Sequence, residues 1–216
     1  MSRLAPTLVL LALAAGCDRR TEFMEPAAAG AALAAKETVD PSTLTPPLDP
    51  DIFTCVRQGR GILCDGRQAD AYADLSPGPE FACGDRLILV TGFQVETTRA
   101  WNDAEGRRLK VKSHGTFDET WRLEGSSGPE LRAHGSWNEH FVYTTPGDIA
   151  TRTQTITGNE VSAIAPGEGN IFQNTGITRI DPDGDVVRQG GPHDFYTNFE
   201  GAIAAACEAL EPTAQD

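Results

Sequence analysis

The chain has 216 residues and a net charge of −13. An acidic balance of that size argues against nucleic acid as a partner and against adsorption to anionic lipid through surface charge. Composition is that of one globular domain behind an Ala/Pro-rich leader, and residues 51–212 are enough for a single core.

Met1-Ser2-Arg3 is a short basic start, and Leu4 to Ala15 is apolar apart from Thr7 and an interrupting Pro6. That run is too short to span a bilayer as a helix, so residues 1–16 are predicted to be an export signal. Ala14-Ala15-Gly16-Cys17 resembles the lipobox of bacterial lipoproteins, with Ala14 where leucine is commonest and Leu13 one place early. The resemblance implies that Cys17 becomes the mature N-terminus and carries diacylglycerol on its sulfur. The partner so implied is a membrane, reached through lipid, and the location is the extracytoplasmic cell envelope. Each buried methylene contributes roughly 0.8 kcal/mol, so two or three acyl chains suffice for stable attachment. From Asp18 to Pro50 alanine, proline and threonine dominate, and residues 17–50 read as the lipidated cysteine and its tether.

With Cys17 assigned to lipid, Cys55, Cys64, Cys83 and Cys207 remain as an even set in an oxidising compartment. Four cysteines allow three pairings. Arg57-Gln58-Gly59-Arg60 resembles a hairpin turn, which favours Cys55–Cys64 and leaves Cys83–Cys207 to tie the start of the domain to its end. The spacing of Cys55 and Cys64 fits no common zinc site.

Beyond the first hairpin the sequence alternates. Leu87, Leu89, Phe93, Val95 and Trp101 fall on odd positions, as do Val111, Phe117, Trp121 and Leu123, and then Leu131, Ala133, Trp137, Phe141 and Tyr143. Strands of period two with these odd residues inward are expected. Asp103-Ala104-Glu105-Gly106, Gly125-Ser126-Ser127-Gly128 and Pro166-Gly167-Glu168-Gly169 supply turns. Asp181-Pro182-Asp183-Gly184-Asp185 is a further turn: its aspartates suggest calcium, but the glycine comes too early and Pro192 stands where an EF-hand needs glutamate. Thr197 and Glu200 match a capping box for a helix to about Leu210, with Phe199, Ile203, Cys207 and Leu210 as its apolar stripe. The fold class expected is all-β: an antiparallel meander closing into a small barrel of about eight strands, with one C-terminal helix. The order of parts is similar to secreted barrels of the calycin or dirigent kind. The stretches Pro166 to Phe172 and Gly191 to Phe195 resemble uncharacterised secreted bacterial proteins, a likeness that implies no activity.

One repeat stands out. His114-Gly115-Thr116-Phe117-Asp118-Glu119-Thr120-Trp121 matches His134-Gly135-Ser136-Trp137-Asn138-Glu139-His140-Phe141. Centring the turn at Ser127 sets Glu119 opposite Gly135, Glu139 opposite Gly115 and Phe117 opposite Trp137, all inward. Buried carboxylates need satisfying, by ligand, water or a cation such as Arg99. The candidate ligand-binding residues are therefore Glu119 and Glu139 as polar anchors, with Phe117, Trp121, Trp137 and Phe141 as floor. The same register pairs His114 with His140 outside and sets His134 near Thr120, diagonal to Asp118; no metal is assigned there. No catalytic residue and no cofactor is assigned. The function expected is non-catalytic: binding of a small, partly apolar ligand, or service as an envelope interaction module whose protein partner the sequence does not specify. The alternative is a small-barrel isomerase or cyclase using the same glutamates.

Overall fold

The computed structural model describes residues 36–211. The expected export signal, Cys17 and the first part of the expected tether lie outside the described residues. The last part of the tether does not behave as one. Short strand β1 (Thr38–Val39) pairs with the first hairpin, and Asp40 caps a 3₁₀ turn (Pro41–Thr43) by accepting from the Ser42 amide at 2.9 Å. Leu44 behind it is only 4% exposed. Prolines mark this stretch as a linker, yet Val39, Leu44 and Leu48 give it enough to bury.

The sheet is one antiparallel meander. After β1 come β2 (Phe53–Gln58), β3 (Gly61–Leu75), a two-residue β4 (Ala82–Cys83), and the long strands β5 (Arg86–Asn102), β6 (Arg108–Leu123) and β7 (Leu131–Tyr143). β8 (Arg152–Ala165), β9 (Gly169–Ile180) and β10 (Val186–Gly190) complete it. Spatial order follows chain order from β1 to β10, with β4 set aside on the start of β5. The expected closure is not seen: β1 and β10 end an open path, and nothing pairs them among the described residues. Both ends are short strands, β10 exposed throughout, which limits the open edge. A one-turn helix α1 (Asp194–Thr197) leads into α2 (Phe199–Leu210). Its cap is Asn198, whose side chain accepts from the Gly201 amide, and not the expected Thr197, which instead closes α1 on the His193 carbonyl.

Both expected disulfides are present. Cys55 faces Cys64 directly across the first hairpin, and Cys83–Cys207 fastens α2 to β4. They belong to an oxidising, extracytoplasmic compartment. No helix among the described residues is long and apolar enough to cross a membrane.

One face of the sheet carries two separate cores. At one end α2 lays Ala202, Ile203, Ala206 and Leu210 over Ile88, Val90, Trp121, Leu123 and Leu131. At the other end the N-terminal segment sets Leu44 over Cys55, Ile62, Ala100, Val111 and Tyr143. The inward residues of β6 and β7 are the odd ones, as the alternation predicts. In β5 they are the even ones. Ile88 pairs with Leu123, so odd positions of β5 lie outward: Phe93 is half exposed, and Trp101 is partly covered by the Lys110 ammonium, 4.5 Å from its ring centroid. Both parities of Leu87 to Val90 are apolar, and period two alone cannot choose between them.

Candidate functional site

Between the two cores the same face turns polar. The register decides who meets whom there. β6 and β7 pair about Ser126 and not about the expected Ser127, a register difference of two residues, and the Ser126 amide bonds back to the Leu123 carbonyl. A shift of two preserves the faces but changes every partner. Phe117, not Glu119, lies opposite Gly135; Trp137, not Glu139, lies opposite Gly115. Glu119 faces Ala133 and Glu139 faces Ser113. Outside, His114 faces Asn138, His140 faces Lys112 and His134 faces Asp118, so the expected histidine pair is not formed. Arg99 is outward as well, bonded to Asp65 at 2.6 Å, and is no partner for either glutamate.

Glycine positions the aromatic rings. A β-carbon on Gly115 would overlap the Trp137 indole, and one on Gly135 would overlap the Phe117 ring. Each ring therefore lies across a neighbouring strand where a side chain is missing, and the two centroids stand 6.1 Å apart. The two ring planes are inclined at 56° to each other, and both rings line the space above the sheet.

Gly92 does the same for a tyrosine. Tyr72, Gly92 and Glu119 form one row across β3, β5 and β6. The Tyr72 hydroxyl passes over the glycine and donates to Glu119 Oε1, while the Trp121 indole N–H donates to Oε2 at 2.9 Å. Burial, then the bond to Glu119, pushes the Tyr72 phenol well above its usual range, so it remains a donor. Glu139 accepts from the Gln154 amide. Burial raises its carboxyl above the usual range; the Gln154 bond opposes this, Glu96 raises it further, Arg152 lowers it and Glu160 raises it. Glu160 accepts from Asn174 Nδ2 at 3.0 Å.

The space itself consists of two adjoining hollows. One, of about 350 Å³, is walled by Tyr72, Phe81, Trp121 and Phe195; the other, of about 370 Å³, by Trp137, Glu139, Gln154 and Ile156. They share Gln94, Phe117, Glu119 and Glu160. Three carboxylates line them and no lysine or arginine does. Of the six residues singled out in the sequence, Phe117, Glu119, Trp137 and Glu139 come together here and Trp121 closes one side. Phe141 does not take part: it packs against the far core under the Arg152 guanidinium, 5.0 Å from its ring.

Sequence reading missed Tyr72, Gln94, Gln154 and Glu160. Gln94 is hidden by the inverted parity of β5. In β8 Glu160 follows Ile156 and Gly158 inward, and a bulge opposite Gly135 then passes the inward parity to Val161 and Ala163. No group of three or more His, Cys, Asp or Glu is placed to hold a metal among the described residues. Asp181 accepts from the amides of Asp183 and Asp185, both at 3.0 Å, which makes that loop a turn closed on itself. No family model, no curated protein and no solved structure matches the chain.

Proposed function

We propose that this is an envelope binding protein, held to a membrane by lipid on Cys17, that performs no covalent chemistry. Its cleft takes a small molecule with an apolar body and a positively charged nitrogen. The observation that carries the reading is the floor: two aromatic rings packed over Gly115 and Gly135, beside three carboxylates, with no lysine or arginine in the lining. Aromatic faces and carboxylates both attract an ammonium group, and each gains strength where water is partly excluded. Hollows of this size fall in the range of small-ligand sites. Glu139 supports the reading further, since burial and its acidic neighbours leave its charge undercompensated.

The test is calorimetry with benzyltrimethylammonium against its uncharged carbon analogue, neopentylbenzene. The cation is expected to bind and the analogue not, and Trp137→Leu should abolish binding while the protein remains folded. Equal behaviour of the two probes would remove the charge from the reading. The anchor is tested separately: Cys17→Ala should move the protein to the soluble fraction.

A further inference from the structure

One buried titratable side chain lies behind the cleft and not in it. His193 is 5% exposed and Asn174, its neighbour on β9, is fully buried. Asn174 donates through Nδ2 to Glu160, which turns its amide oxygen toward His193 Nδ1, 3.2 Å away. The other ring nitrogen, Nε2, lies 3.1 Å from the Gly190 carbonyl oxygen. Both nitrogens thus face oxygens that only accept. A neutral imidazole has one N–H and one lone pair; it satisfies one oxygen and sets its lone pair against the other. The imidazolium donates to both. With so little exposure, water is poorly placed to repair the mismatch.

The ring holds down a strap. His193 bridges to Asn174, the Pro192 carbonyl accepts from the Thr175 amide at 2.8 Å, and the His193 carbonyl accepts from the Thr197 amide and hydroxyl. Two residues on, Phe195 stacks on Phe172 with centroids 5.6 Å apart and forms a wall of the cleft beside Phe81 and Trp121.

We propose that His193 is a proton-dependent clasp on the cleft: the protonated ring holds the strap from Gly190 to Phe195 against β9, and loss of the proton releases it. As a control of ligand access this rests on the binding reading above; the chemistry of the ring does not. The charged groups around it fit. Glu160 from β8 supports the positive ring through Asn174, and Asp194 beside it on α1 accepts from the Gln173 amide at 3.3 Å. Arg179 and Arg188 pair across β9 and β10 at the parity opposite to Asn174, so they lie on the other face. The closed strap holds one proton more than the open one. Closure is therefore favoured by the protonated ring and lost with its proton.

The experiment uses the full chain labelled with ¹⁵N. Long-range proton–nitrogen correlations report the His193 ring, and amide exchange reports Thr175, expressed as protection so that the intrinsic pH dependence drops out. Both ring nitrogens are expected to be protonated at pH 5.5, and Thr175 protection should fall about tenfold toward pH 8.5, the effect of one ordinary hydrogen bond. In His193→Gln that step should vanish while Val90 and Trp121 amides stay protected, showing an intact fold. A neutral ring at a pH where Thr175 is protected overturns the clasp, as does a step of equal size in His193→Gln. Benzyltrimethylammonium, whose charge does not titrate, is run over the same range. Its failure to bind at any pH overturns the cleft reading and leaves the ring result standing by itself. Binding whose pH dependence is unchanged in His193→Gln overturns the gate.

Discussion

Removing the Cys83–Cys207 disulfide perturbs the longest covalent link in the fold. The two cysteines are 124 residues apart, against 9 for Cys55 and Cys64. If a cross-link acts by restricting the unfolded chain, the long loop contributes about 4.9 kcal/mol and the short one about 2.6 kcal/mol at 25 °C. A domain with ordinary stability of roughly 5–15 kcal/mol would keep its fold only narrowly without the first. The apolar face of α2 would then hold the helix by itself, through Ile203, Ala206 and Leu210. Cys83→Ala/Cys207→Ala and Cys55→Ala/Cys64→Ala are compared by urea unfolding at one temperature, with slopes checked for two-state behaviour. The first pair should lose about twice the free energy of the second. An equal or smaller loss would refute the loop argument and mean that α2 owes its docking to packing alone.

Four further outcomes follow from the same contacts. Ile88→Ala should cost about 2–5 kcal/mol, whereas Phe93→Ala should stay within about 0.5 kcal/mol, and thermal denaturation of the pair checks the parity of β5. Gly115→Ala should weaken benzyltrimethylammonium binding more than it lowers the melting temperature, because the added carbon meets only the Trp137 ring. Tyr72→Phe takes one donor from Glu119 and should cost about 1–3 kcal/mol in denaturant titration. Glu139 holds its proton more tightly folded than unfolded, so its ionisation opposes folding above the carboxylate range and not below it. Glu139→Gln, which still accepts from Gln154, should therefore raise the melting temperature at pH 7.5 and leave it unchanged near pH 3.5.

The legible parts of this chain were those written in local chemistry. Alternation in β6 and β7 is set by residues two apart, and it placed Phe117, Glu119, Trp137 and Glu139 on one face correctly. The disulfides followed from an even cysteine count and one turn. What alternation cannot carry is long-range register. A two-residue difference in the pairing about Ser126 left every face intact and gave both glutamates other partners. In β5 the expected odd inward set is the outward one: apolar residues of both parities at Leu87 to Val90 hide the even face, and Gln94 with it. The bulge that lets both Glu160 and Val161 reach the inner face is a property of two strands together. Closure was argued from the risk of open edges, but short end strands limit that risk without a barrel. Residues 38–48 were hidden by proline, whose meaning depends on whether Leu44 finds a core.

The most direct measurement is native mass spectrometry of the protein purified under mild conditions from its own host, followed by fragmentation of whatever travels with it. The account predicts a small adduct whose fragments carry a basic or quaternary nitrogen on an apolar body, lost when Trp137 is replaced by leucine. Copurification of an anionic or uncharged compound in the same cleft would contradict it.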